Sequence, residues 1–262
     1  MKILAFITDF GMQDHFIGVM KGVVKKIDPE IDIVDLANEI PSYNVAAASF
    51  VADKNFDYFP HGTVFLVVVD PGVGTDRKIL LVEHGGYYFI APDNGVLTPV
   101  LKKDEKKVWV IIKNRFFLVE GTSTFEARDK MAPVAAHLLR GVNPAEFARE
   151  TSEFVLNEHY FPIKLDDSIV GRIVYIDRFG NCITNVPKDY LFYILSTSRF
   201  KKFRVKIKDM DIIEYCDTYA RGGDEPFMLT GSHQNLEIAM NRASAAQYLN
   251  VSLNQKILIK FY

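Results

Sequence analysis

Cysteine is scarce in this chain. Only Cys182 and Cys216 occur among 262 residues, without metal-ligand spacing, which leaves no disulfide framework or thiolate metal site and fits a reducing compartment. Charge of one sign is lacking too. Thirty-one basic against 33 acidic residues give a formal net charge of −2, with no Lys/Arg run or basic stripe, so nucleic acid is not an expected partner. Long apolar runs are missing as well: the longest, VFLVVV at 64–69, is far too short to span a bilayer, and the opening MKILAFITDF lacks the length and cleavage pattern of a signal peptide. A cytoplasmic protein with no membrane partner is the expectation. The chain shows neither an internal repeat nor a low-complexity segment.

What is present is a hydrophobic content of 48% over 262 residues, enough for one large domain or two ordinary ones. Short β-rich runs at 3–8, 31–35, 63–69, 79–83, 87–91 and 108–112 alternate with helical patterns. One of these is the stripe Phe16, Met20, Val23, Val24 and Ile27; two more helices are expected over 46–56 and 131–139. Alternation of this kind argues an α/β layered domain with a mostly parallel sheet. After residue 150 the texture changes to strands joined by turns, at 171–176, 203–207, 227–230, 236–240 and 257–262, which indicates a smaller antiparallel domain, a β-barrel. The reading is therefore an α/β domain over 1–163 and a β-barrel domain over 170–262.

Within the first domain, three β-rich runs end in aspartate: Asp9 in ITDFG, Asp35 in IDIVDLA and Asp70 in VVVDPGVGTDR. Core packing does not call for this, because an unpaired buried carboxylate is expensive. Ligands of open α/β sheets bind at the carboxyl ends of the strands, where Asp9 and Asp70 would stand. Each Asp can equally accept backbone N–H groups of its own turn. Arg77 is the natural charge partner of Asp70, whether in a site or in a structural ion pair, and the loop between them lacks the spacing and lysine of a phosphate-binding P-loop. Gly11 precedes a helix opening near Asp14 or His15, whose spare N–H groups beside Asp9 suit a polar ligand. APDNG reads as a turn feeding a helix, with Asn94 a left-handed residue or a ligand contact. In STFEARD, Ser123 and Glu126 have capping-box spacing, so Glu126 is explained either as a cap or as part of a site. In the second domain, YIDRFGNCITN gathers Asp177, Phe179, Asn181 and Asn185 at a turn between two strands, a plausible nucleoside-reading loop; a glycine hairpin would explain only Gly180 and Asn181. GSHQNLEIAMN adds Ser232, Glu237 and Asn241 on a hairpin-like unit.

Taken together, ITDFG, VDPGVGTDR, APDNG, TFEARD followed by AP, YIDRFGN with ITN, and GS followed by LEIAMN resemble the S-adenosylmethionine hydroxide adenosyltransferases, relatives of fluorinase and chlorinase. The pieces come in family order and cover nearly the whole chain. The resemblance implies hydrolysis of S-adenosyl-L-methionine to adenosine and L-methionine by water attacking the ribose C5′, with neither metal nor cofactor. It also implies a homotrimer with sites between neighbouring subunits. Carried over by motif, Asp9 would hold the ribose diol, while Asp70 and Arg77 would position and activate water. Asp177, Phe179, Asn181 and Asn185 would contact substrate, chiefly from the adjacent subunit; Ser232 would lie near the methionine end, and Asn94 and Tyr43, the latter in PSYNV, would lie beside the substrate. Halogenating relatives carry a tyrosine or comparable residue at position 70, so a carboxylate there favours hydrolysis. One departure stands out: the family's F-H-G-R-D reads Phe125-Glu126-Ala127-Arg128-Asp129 here. If Glu126 and Asp70 face one water, their like charges favour holding a proton, with Arg77 opposing. Two rival readings are a non-catalytic adenosine or S-adenosylmethionine binder, motivated by Glu126, and a divalent-metal hydrolase using Asp9, Asp35 and Asp70.

Overall fold

All six of the amino-terminal β-rich runs fall in one sheet of the computed structural model, which describes residues 1–112 and 114–262. Its strands are β1 (Ile3–Thr8), β2 (Asp32–Ala37), β3 (Val64–Val68), β4 (Ile79–His84), β5 (Tyr87–Pro92), β6 (Lys106–Ile111) and β7 (Ala148–Glu150), in the order β2-β1-β3-β5-β4-β6-β7. The pairs β2/β1, β1/β3 and β3/β5 are parallel; the three pairs beyond β5 are antiparallel. Parallel pairing requires crossovers. These are supplied by α1 (Phe16–Ile27) after β1 and α2 (Val45–Asn55) after β2, while α3 (Thr98–Leu101) follows β5. Every residue of β1 and β3 is buried, as expected for strands covered on both faces. Leu4, Phe6 and Leu66 join Ile17, Met20 and Val24 of α1 in one core. Residues of opposite parity face the other way: Phe65 stacks on Phe89 at 5.2 Å, and Phe89 meets Phe56 edge-on at 5.6 Å.

The long helix after Thr124 has an irregular start with a readable cause. Ala127–Met131 forms one π-helical turn ahead of α4 (Ala132–Leu139), and the Ala132 N–H reaches back five residues to the Ala127 carbonyl. Pro133 has no N–H to offer the Asp129 carbonyl four residues earlier, and that carbonyl instead accepts from the Leu118 N–H at 2.8 Å. The capping box that the spacing of Ser123 and Glu126 allows does not form. Ser123 Oγ accepts the Phe125 N–H at 3.0 Å and donates to Asp129 Oδ2 at 2.5 Å, whereas the Glu126 carboxylate makes no cap bond. The reason is competition: two cations, described below, hold Glu126.

Asp129 is 2% exposed, and Arg128 binds both its oxygens, at 2.6 and 2.8 Å. Those bonds, with Ser123 adding to them, hold its carboxyl below the usual carboxylate range. Its contribution to stability is therefore fully present above the unfolded-state value and is lost as pH falls through the lowered native one. Asp129→Asn is expected to cost about 2 kcal/mol near neutrality, since half the pair is exposed on the Arg128 side. The deficit should shrink in acid; thermal unfolding of both proteins across pH checks this, and a deficit that grows on acidification overturns it.

The described residues divide into the units Met1–Asn157 and Glu158–Tyr262. In the second, the strands are β8 (Ile163–Lys164), β9 (Ser168–Ile176), β10 (Cys182–Pro187), β11 (Phe203–Ile207), β12 (Met210–Ile212), β13 (Phe227–Thr230), β14 (Asn235–Ala239) and β15 (Lys256–Phe261). They follow the order β12-β11-β15-β9-β10-β14-β13, with β8 added on β9, and all the named pairs are antiparallel. Just past β12, the backbones of Glu214 and Cys216 bond Met228 of β13 at 2.8 Å each, so the outer strands meet and the sheet nearly closes into a barrel. Alternate residues fill it, among them Val205, Ile207, Ile257, Ile259 and Phe261. Two helices, α5 (Lys188–Thr197) and α6 (Ala245–Tyr248), complete the unit. Among the described residues no helix is long and apolar enough to cross a membrane.

Candidate active site

Strand register brings Asp9 and Asp70 together. β1 and β3 are neighbours with Thr8 opposite Val68, so the residues that follow leave the sheet side by side at its carboxyl edge. Both line a cavity of about 540 Å³, together with Phe10, Asp14, Tyr43, Val73, Phe125 and Glu126. Asp35 does not share it. It lies inside β2 and not at its end, bound to Lys21 at 2.5 Å and accepting from Asn38 at 2.9 Å. The three-aspartate metal reading thus loses one of its ligands to a surface ion pair. No group of three or more His, Cys, Asp or Glu is arranged to hold a metal among the described residues.

The cavity wall carries a charge relay in the geometric sense. Arg77 Nε donates to Asp70 Oδ2 at 2.6 Å, and Arg77 Nη2 lies against both Asp70 Oδ2 and Glu126 Oε2. Lys130 takes the other Glu126 oxygen. All three members of the inner run are buried, the side chain of Arg77 being 9% exposed and those of Asp70 and Glu126 6% each. Charges removed from water to this extent need such pairing. The Asp70 loop is stiffened by its own bonds, Gly72 N–H to Asp70 Oδ1 at 3.2 Å and Thr75 Oγ1 to the Gly72 carbonyl at 2.7 Å. Arg77 Nη1 is buried with no protein partner, leaving one guanidinium edge in need of an acceptor.

Asp9 accepts the Tyr43 N–H at 2.8 Å. Tyr43 is 73% exposed and has φ +64, a left-handed conformation that costs a bulky residue of order 1 kcal/mol or more. The Asp9 bond holds the aromatic ring at the cavity mouth against that cost. Burial pushes the Asp9 carboxyl up, and the nearby Asp70 charge adds to the push, against the lowering by the Tyr43 N–H. Asn94 lies outside the lining. Its amide ties the turn after β5 to β3, donating to the Val69 carbonyl at 2.9 Å and accepting from Val96 N–H at 3.1 Å.

In the barrel unit a second cavity, about 590 Å³, is lined by Asp177, Phe179, Asn181, Tyr219, Arg242 and Ser244 among others. Asp177 organises its loop: Oδ1 accepts the N–H groups of Phe179 and Asn181 at 2.9 Å each, and Oδ2 accepts Asn181 Nδ2 at 2.8 Å. Gly180 has φ +86, and a Cβ there would collide with Ser244, so the loop packs on the α6 entry only with glycine. Phe179 is left 76% exposed, a rigidly presented aromatic face. Asn185 and Ser232 are placed elsewhere. Asn185 is 7% exposed and bridges the Arg172 N–H at 2.8 Å to the Tyr160 carbonyl at 3.0 Å, and Ser232 sits exposed in the turn between β13 and β14.

Sequence reasoning missed Tyr219, which opens a short 3-10 turn, Tyr219–Arg221, in a stretch without a motif. Its hydroxyl donates to Glu237 Oε1 at 2.5 Å. Burial, with the Asp177 charge adding, raises the Glu237 carboxyl, and burial plus Glu237 raises the Tyr219 phenol well above its ordinary range. Asp14, Phe10 and Val73 also went unassigned, because only the fold brings them to the first cavity. Neither cysteine is poised as a nucleophile: both are buried, and burial pushes the Cys182 thiol up to about 12.

An α/β unit with a buried carboxylate–guanidinium run at its strand ends, joined in one chain to an antiparallel barrel with an aromatic and amide loop, defines a two-unit protein built around small-molecule sites. The description "SAM hydroxide adenosyltransferase" fits both units, its N-terminal domain matching residues 4–148 and its C-terminal domain residues 171–258, and the chain belongs to that family. It is similar to the (R)-S-adenosyl-L-methionine hydrolase of Methanocaldococcus jannaschii, 32% identical over 99% of this chain and 96% of that protein. It is also similar to a Nocardia brasiliensis fluorinase, 26% identical over 98% and 96%. Among solved structures, an uncharacterized conserved protein from Thermotoga maritima has a TM-score of 0.88 at 35% identity, covering 98% of this chain and 99% of that one.

Proposed function

We propose that this protein hydrolyses S-adenosyl-L-methionine to adenosine and L-methionine by attack of water on the ribose C5′. The observation that carries the reading is the run Asp70–Arg77–Glu126, whose two carboxylates line the cavity and share the guanidinium, in a chain of the hydroxide adenosyltransferase family. In the reaction the water oxygen forms a bond to C5′, the C5′–S bond breaks, and its electron pair goes to sulfur, giving a neutral thioether. The water proton passes to the carboxylate pair and then to solvent. A hydroxide-like nucleophile meets a sulfonium cation, so charge is neutralised on the way to the transition state. A dry site disfavours the separated charges more than that state. Holding oxygen, C5′ and sulfur in line supplies several kcal/mol more, roughly as in other well-oriented reactions.

In this reading Asp70 and Arg77 position and activate the water, with Glu126 completing the run, and Asp9 binds the ribose diol beside Tyr43. The carboxylate of Asp70 also repels halide, which favours hydrolysis over halogenation. The Asp177 loop, with Phe179 and Asn181, contacts the nucleoside from a neighbouring copy in a homotrimer; Asn94 braces the turn after β5, and Asn185 holds β9 and Tyr160. No metal takes part. Asp177→Ala is expected to raise KM about tenfold or more with a smaller effect on kcat, because three bonds that present Phe179 and Asn181 are lost. Steady-state kinetics check this, and an unchanged KM removes Asp177 from the site.

The reading is tested by incubating metal-stripped protein with S-adenosylmethionine, each sulfonium epimer separately, in ¹⁸O-labelled water. Adenosine labelled at its 5′ oxygen is expected. Bound nucleoside without turnover would instead establish a binding protein.

A further inference from the structure

We propose that Lys130 is a positioning residue of the site, holding Glu126 so that the two buried carboxylates do not compete for one guanidinium. The proposal rests on the hydrolase reading and extends it to a residue outside the cavity lining.

Glu126 is anchored at both oxygens, Oε2 by Arg77 and Oε1 by Lys130. From Asp70 through Arg77 and Glu126 to Lys130 the charges alternate and sum to zero. Lys130 is well covered, its side chain 14% exposed, and its Nζ stands 5.9 Å from the centre of the Phe117 ring. An ordinary i,i+4 surface pair is worth a few tenths of a kcal/mol. This one differs because Glu126 is 6% exposed on its side chain, so Oε1 has little water to fall back on. Glu126 caps the π-helical turn Ala127–Met131 and Lys130 is its fourth residue, so four steps around the turn return nearly to the same face and bring Nζ to the carboxylate.

Removing the ammonium would leave Asp70 and Glu126, like charges, sharing Arg77 alone. The other groups facing this run are Asp9 and Asp14 across the cavity, both acidic, and Asp129 and Arg128 on the same turn, already paired with each other. None supplies a replacement cation. Glu126 would then draw Arg77 from Asp70 or swing out of line, and the water would lose its geometry.

The test compares the wild type with Lys130→Met, Lys130→Arg, Glu126→Gln and the Glu126→Gln/Lys130→Met double variant. Lys130→Met is expected to lower kcat about tenfold or more, with KM within about twofold, and to move the acid limb of the kcat–pH profile to higher pH. Lys130→Arg restores most of the rate. In the Glu126→Gln background, Lys130→Met costs less than about twofold more, because the group it acts through is gone. A Lys130→Met protein with wild-type kcat and pH profile, or a double variant that loses the full product of the single effects, overturns the proposal. If the wild type itself releases no adenosine, the hydrolase reading falls. The same proteins then decide the pairing by thermal unfolding: Tm losses that do not add keep Lys130 as the partner that holds Glu126, and additive losses overturn it.

Discussion

Asp70→Ala is expected to abolish turnover of S-adenosylmethionine, lowering kcat about 10³-fold or more, while adenosine affinity stays within about threefold. The asymmetry follows from where Asp70 stands. Its Oδ2 is bound by Arg77, and it opens the DPGVG turn at the strand end. The nucleoside is assigned instead to Asp9, Tyr43 and the Asp177 loop. Alanine removes the group proposed to orient and deprotonate water and leaves Arg77 with Glu126, so the fold keeps an ion pair at that point. Isothermal titration with adenosine, beside single-turnover kinetics, separates the two effects. Retained turnover would remove Asp70 from the chemistry, and lost adenosine binding would make it a substrate ligand.

Arg77→Met has the larger effect on the folded state. It strips two carboxylates, each 6% exposed on its side chain, of their shared cation. Breaking a buried pair by deleting one partner costs about 3–5 kcal/mol, because the remaining charge is neither solvated nor matched. Here two charges are left, and Lys130 answers only one of them. The expected outcome is a stability loss of that size at neutral pH together with loss of turnover. Denaturant unfolding of the variant beside the wild type checks this. A loss under about 1 kcal/mol at neutral pH would mean that the run is solvated or otherwise paired and contributes little, as surface pairs do.

Much of the architecture was legible because burial leaves a periodic trace. VFLVVV, apolar on both faces, could only be a covered strand, and it is β3 at the centre of the parallel half of its sheet. The stripe led by Met20 and Val24 marked α1. Elsewhere the local signal was weak or shared by unlike sites. LFYILST, rich in aromatic and branched residues, gives no clear helical pattern, yet 188–197 is α5; only Leu191 and Ile194 are buried, while Phe192 and Tyr193 stay exposed. Asp35 looked like Asp9 and Asp70, since all three follow branched residues. What separates it is strand order: β2 is the edge, so its acid faces Lys21 and solvent. Ser123 and Glu126 had the spacing of a capping box, but spacing cannot register Arg77 and Lys130, cations better placed to take the carboxylate.

By itself the sequence determined the two-part organisation, the positions of Asp9 and Asp70 at strand ends, and the family, because periodicity and short motifs are properties of neighbouring residues. Tertiary structure alone decided which of the acids share a cavity, that Glu126 pairs with two cations and does not cap its helix, and that Tyr219 and Glu237 stand beside the Asp177 loop. Those outcomes depend on strand register and on competition for counter-charges between residues far apart in the chain, and such distances leave no local trace.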